Sequence, residues 1–405
     1  MRIAAGLLLL IAPAFAQTVW QVGAGANLDQ VFANAAAGDI VLLAPGSYLP
    51  FTLQKGLAVI GPATIQGLTG TVGPWEAVIQ IPAGQQAHLI GLQFPPTQQP
   101  SMPVPLSGQQ VMVSGAVGFE DCSFGPGVPN SLVVTSGEVV LQRCTVQGGR
   151  GLGGGMLVSG GTCTLSGCSV TGLDGSGLGY FVIPPTPGLE ITAGTLLAAG
   201  STLRGGNATD YYYGVWRHPE PGVRCGGTAR VSLADCTVTG GSGQAFSSTG
   251  AGAVGIDCTA PSPALVEWAR GALSGGTGTP PGGAVAGNVQ NVPTLVGLDL
   301  DHGLVRGAVS TITATAGNSQ QLLGILATFA NGVTAVPGVV DPVFGAVALS
   351  FPLVLAVPAP GAIVTATVAV PNAAGLLGVA LWSQALQFDG AGSLRASAVV
   401  GGAVH

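Results

Sequence analysis

Cys122-Ser123-Phe124, Cys144-Thr145-Val146, Cys168-Ser169-Val170, Ser201-Thr202-Leu203 and Cys236-Thr237-Val238 share one pattern: a small residue, a hydroxyl residue, then a larger apolar one. Each triplet closes a longer unit. The units begin at Val111, Leu132, Met156, Leu189, Val223 and Ile256, and read as a short apolar strand, a Gly-rich corner, a second strand and a third. Their starts lie 21 to 34 residues apart, a period typical of stacked repeats. A weaker unit, Ile79 to Phe94, precedes them. The longer units differ mainly by insertions after the third strand.

Alternation along each strand predicts which side chains point inward. On the first strands these are Val113, Val134, Val158, Ile191, Cys225 and Cys258. On the third they are Cys122, Cys144, Cys168, Ser201 and Cys236, with Phe124, Val146, Val170, Leu203, Val238 and Leu273 beside them. Stacking such units buries one continuous apolar column that no unit could bury alone. The chain has seven cysteines, so at least one stays unpaired within it. Their place in inward columns reads as core filling by a small hydrophobe. A bridge between neighbouring units, such as Cys225 with Cys258, remains open. No metal site is expected, because no His lies near the column and Cys163 and Cys168 lack a partner pair.

Composition narrows the class. Of 405 residues only 7% are charged while 47% are hydrophobic, the reverse of a disordered chain. Only 11 basic residues are present, so nucleic acid is not an expected partner. No apolar run is long enough for a membrane span in the mature chain. Met1-Arg2, the apolar run from Ile3 to Ile11 and Ala14-Phe15-Ala16 read as a signal peptide over residues 1–16, which implies a secreted or cell-surface protein. Asn27-Leu28-Asp29-Gln30 reads as a capping box opening a short helix, with Gly38 as its C-terminal stop.

The cap helix, the Gly38 to Gly46 stretch and the six units together resemble the right-handed parallel β-helix superfamily of pectate lyases and related secreted proteins. The resemblance covers residues 17–290. It implies an all-β fold: a right-handed parallel β-helix, or solenoid, with a short N-terminal cap helix. It does not imply an activity, since function belongs to sites grafted on folds. Ser274 to Pro293 has linker composition. Residues 291–405 then alternate as seven or eight strands, notably Ser310 to Ala316, Ile363 to Val370 and Leu376 to Phe388, and predict an antiparallel β-sandwich. Asp299, Asp301 and His302 at its start read as a turn rather than a cation site.

Chemistry is sought on outward positions. On the first strands these read Gln80, Met112, Val133, Leu157, Glu190, Arg224 and Asp257, and the apolar members call for a cover. Glu190, Arg224 and Asp257 form a row of alternating sign and are the candidate catalytic residues. In the families resembled, lyases use an acid-bound Ca²⁺ with a basic residue, and hydrolases use paired Asp. The plain alternative is an exposed ion ladder worth about 0–1 kcal/mol per pair. Two insertions carry aromatics near acids and an Arg, a combination suited to sugar stacking. Tyr180 lies in the first, and Asp210, Tyr211, Tyr213, Trp216, Arg217 and His218 in the second. An outward run of Ser123, Thr145, Ser169, Thr202 and Thr237 resembles an ice-binding ladder, but Gln147 and Arg204 interrupt its second rank and Thr is simply a good strand residue. The leading expectation is a non-catalytic carbohydrate-binding or adhesive module that engages a polysaccharide or cell-surface glycan and needs no cofactor. The alternatives are a polysaccharide lyase or glycoside hydrolase acting on an acidic polysaccharide, with Ca²⁺ if a lyase, and a purely structural surface protein.

Overall fold

The structure, a computed structural model, describes residues 17–67, 75–96, 109–127, 129–149, 153–178, 181–208, 218–243, 250–259, 263–318, 321–329, 333–334, 343–344, 351–373, 376–388 and 393–405. The segment read as a signal peptide lies outside them. Strands dominate. Between Val19 and Asn291 all the described strands but one two-stranded hairpin join two long parallel sheets, of 18 and 9 strands. Between Gly297 and Ala403 the strands are antiparallel. No described helix is long and apolar enough to cross a membrane.

The repeat register expected from the sequence is the register observed. Val111, Leu132, Met156, Leu189, Val223 and Ile256 stand opposite one another in consecutive parallel pairs. Third strands align Ser123, Thr145, Ser169, Thr202, Thr237 and Ala272 in the same way. The inward residues of all three strand sets join one apolar cluster. Five phenylalanines run through its N-terminal part, Phe119 meeting Phe124 edge-on at 5.3 Å. Phe32 meets Phe51 edge-on at 5.2 Å, Phe94 stacks on Phe124 at 5.2 Å, and Phe51 bridges to Phe94 at 6.5 Å. All seven cysteines are buried free thiols, as core filling requires.

Three readings need correction. Ser274 to Pro293 is not all linker, because Val285–Gly287 and Val289–Asn291 add one more parallel unit. In the outward row, Val78 rather than Gln80 stands opposite Met112, and Gln80 pairs with Ser114. The helix, Leu28–Asn34, is capped by Asn27, whose Oδ1 accepts from the Gln30 N–H at 3.3 Å, but it ends at Ala35 in extended conformation. Gly38, with φ 91°, serves the next turn.

The corner between second and third strands is tight enough to need left-handed backbone. Asp121, Arg143, Asp235 and Arg270 have φ of 51°, 50°, 57° and 53°. Such conformations are costly for non-Gly residues and persist where surroundings hold them. Here ion pairs do so: Arg143 Nε donates to Asp121 at 2.9 Å and Arg270 Nε to Asp235 at 3.0 Å.

In the apolar outward row of the first strands Val133 is buried and Met112 and Leu157 are half-buried. The antiparallel region packs on the outer face of the second strands. Its last strand, Leu394–Ala403, crosses them in turn. Arg395 binds Glu267, Ala398 packs on Leu197 and Ala199, Val399 on Val140, the Gly401 N–H donates to Gln142 at 3.0 Å, and Gly402 abuts Glu120. From Arg395 to Gly402 is seven residue steps of about 3.3 Å, or roughly 23 Å. From Glu267 to Glu120 is five strand spacings of about 4.8 Å, or roughly 24 Å. The strand therefore runs along the stack at right angles to the repeats, and its length matches the span it covers. Trp382 on the neighbouring strand lies over His88, with ring centroids 5.3 Å apart.

Candidate functional site

The row proposed for chemistry is assembled as the register demands. Leu189–Ile191, Val223–Cys225 and Ile256–Cys258 are adjacent parallel strands, with Glu190 opposite Arg224 and Arg224 opposite Asp257. All three are half-buried. The structure adds a residue that sequence reasoning did not place in the site. Glu220, four residues before Arg224, accepts a hydrogen bond from Arg224 Nη2. Burial pushes the Glu220 carboxyl above its ordinary range. Arg224 opposes that shift, while Glu190 and Asp257 reinforce it by like charge. Asp257 is fixed in turn, its Oδ1 accepting from the Thr259 N–H at 3.1 Å and hydroxyl at 2.6 Å.

Three carboxylates thus surround one guanidinium. The guanidinium is already paired with Glu220. Glu190 and Asp257 are two strand spacings apart, roughly 9.6 Å, about the upper limit of the carboxylate separation in inverting glycoside hydrolases. Arg224 occupies the strand between them. Among the described residues no group of three or more His, Cys, Asp or Glu is placed to hold a metal ion.

Glu220 also links this row to the aromatic insertion. The chain leaves the third strand at Gly205-Gly206 and returns at Glu220-Pro221, and the Glu220 N–H donates to the Gly206 carbonyl at 3.0 Å. That hydrogen bond ties together the two ends of the insertion. The preceding insertion closes likewise through Leu173 and Thr186, and carries a hairpin of Ser176–Leu178 with Phe181–Ile183. The feet are tied in series. Gly206 donates to Thr186, Gly241 to Glu220 and Gly276 to Ala253, at 2.8 to 2.9 Å. Insertions from four consecutive repeats therefore leave from one edge of the stack. Tyr180, Asp210, Tyr211, Tyr213, Trp216 and Arg217 lie outside the described residues. His218 is exposed.

This seam explains the recurring Gly-Gly pairs. A Cβ on Gly241 would sit 1.9 Å from the Gly206 carbonyl oxygen, closer than any backbone contact permits. Gly241→Val is expected to destabilise the folded chain by about 1–3 kcal/mol through overpacking. Chemical denaturation would measure it, and an unchanged midpoint would show that the seam yields freely.

On the third-strand face the hydroxyl ladder is in register. Arg204, which interrupts it, pairs with Asp174 at 3.1 Å, and Asp174 also accepts from the Asn207 N–H at 2.9 Å. Asp301 caps a turn, its Oδ1 accepting from the N–H groups of His302 and Thr311 at 2.8 and 2.9 Å. No family model, no curated protein and no solved structure matches this chain.

Proposed function

We propose that this chain is a secreted right-handed parallel β-helix, followed by a C-terminal β-sandwich, that binds carbohydrate at a cell surface or in the extracellular medium without cleaving it. The observation that carries this reading is the Glu220–Arg224 pair. It anchors the foot of the loop bearing Tyr211, Tyr213 and Trp216 beside Glu190 and Asp257. Aromatics supply stacking faces for sugar rings, and fixed carboxylates accept hydrogen bonds from sugar hydroxyls. The local excess of carboxylate favours a neutral or amino-bearing glycan over an acidic one, which like charge would repel.

A polysaccharide array probed with the full chain, with and without Ca²⁺, tests the reading. Retention without release of reducing or unsaturated products is expected. Trp216→Ala should reduce retention at least tenfold, as loss of a stacking aromatic of about 1.4 kcal/mol would. Product release abolished in Arg224→Ala would replace binding by catalysis. Neither retention nor release would leave a structural role and overturn the carbohydrate reading.

A further inference from the structure

We propose that Cys225 and Cys258 form a redox-active dithiol, which a small-molecule disulfide converts into a disulfide bridge between two adjacent repeats. The two residues end paired parallel strands. Val223 stands opposite Ile256 and Arg224 opposite Asp257, so the next position along sets Cys225 beside Cys258. Paired strands lie about 4.8 Å apart, within the roughly 4.4–6.8 Å Cα separation of disulfides. Both side chains are buried and interact with each other, and the Cys258 thiol also reaches the Ala264 carbonyl at 3.5 Å.

Position separates this pair from the other five cysteines. Cys144 is flanked in its column by Cys122 and Cys168 and is covered by repeats on both sides. Cys163 lies between Val139 and Leu196. Cys258 lies one unit from the end of the stack. The residue opposite it in that last unit is Gly287, which is exposed and has no side chain to lay over the sulfur. The flanking residues Ala284, Val285 and Asn288 are exposed as well. Cys258 itself is 5% accessible, so reaction requires brief opening of Val285–Gly287, a terminal three-residue strand of the kind that frays most easily.

Electrostatics points the same way. The Cys225 thiol and, less strongly, the Asn288 N–H favour a thiolate at Cys258 and, against burial and the adjacent Asp257 carboxylate, draw its pKa down to about 7. Burial instead raises Cys163 and pushes Cys236 up to about 12. The thiolate is the nucleophile, and a pKa near ambient pH suits it best to exchange. In the first step the Cys258 thiolate attacks one sulfur of the disulfide, the S–S bond breaks, and one thiolate leaves. In the second, Cys225 gives its proton to solvent and attacks the Cys258 sulfur of the mixed disulfide, expelling the second thiolate. Both cysteines are oxidised and the small disulfide is reduced to two thiols, which take up the released protons.

The experiment uses the reduced, folded full chain and oxidised glutathione. Samples are quenched in acid, the remaining thiols are alkylated after unfolding, and peptides are mapped by mass spectrometry. A Cys225–Cys258 linked peptide is expected as the first product, with Cys122, Cys144, Cys163, Cys168 and Cys236 still reduced. Its rate should rise with pH through a midpoint near 7. Cys225→Ser should stop the reaction at a glutathione adduct on Cys258. A first bridge between Cys122 and Cys144 or Cys144 and Cys168, or no oxidation of any thiol while the chain stays folded, would overturn the proposal. The wild-type map decides between these outcomes even if the variant does not fold.

Discussion

Arg395→Ala is expected to lower the stability of the protein by about 3 kcal/mol, the lower end of the cost of unpairing a buried ion pair. Arg395 Nη2 donates to Glu267 Oε2 at 2.9 Å, and Nη1 reaches Oε1 at 3.5 Å. The two side chains are only 6% and 9% exposed, so water cannot replace the lost partner. Glu267 keeps Arg230, 3.3 Å away and partly solvated, which holds the cost at the lower end. The pair joins residues 128 apart in sequence. It pins one end of the strand Leu394–Ala403 to the second strands. Removing both charges should cost less than removing one, because a neutral pair carries no desolvation debt. Glu267→Gln with Arg395→Met should therefore recover most of the loss. Urea denaturation of both variants is the test. The idea fails if the single variant unfolds at the wild-type midpoint, or if the double variant is no better than the single.

That ion pair could not be read from the sequence, whereas the repeat could. Val111, Leu132, Met156, Leu189, Val223 and Ile256 announce themselves because inward columns must be apolar at every level, and the same residue types recur. The last unit hides because Val285-Ala286-Gly287 carries little bulk and lies among Gly and Pro. The covered face hides for a different reason. Val140, Leu197, Ser232 and Glu267 face outward on second strands, and their partners Trp382, Ala398 and Arg395 come from more than 100 residues further on. Nothing periodic links the two sets. Glu190, Arg224 and Asp257 were legible as a row because period and register alone place them. Glu220 was not, since only closure of an insertion of variable length brings it to Arg224.

Lowering the pH from about 6.5 to about 4 is expected to remove about 3 kcal/mol of stability through one residue, His88. Its ring projects outward from the strand Gln86–Phe94 and is enclosed by Trp382, whose indole N–H reaches Gln86 Oε1 at 3.4 Å. Burial holds the imidazole neutral and lowers its pKa from 6.5 to about 4. The unfolded chain takes up this proton near pH 6.5 and the folded chain only near 4. Between those values the unfolded state binds more protons, so stability falls as the solution is acidified and levels off below the folded value. Glu120, also on this face, acts in the opposite sense. Burial raises the Glu120 carboxyl, which stands against Arg143 and His405, and a raised carboxylate loses stability as pH rises. Asp39 and Asp301, held below their ordinary range by hydrogen bonds that outweigh burial, lose stability only at more acid pH. His88→Phe separates these contributions, because it keeps a ring beneath Trp382 and removes the proton. Denaturation midpoints of the wild type and this variant, compared from pH 7 to pH 4, should diverge through the window. Parallel curves would mean that His88 reaches water when protonated, and that Trp382 does not seal the face it covers.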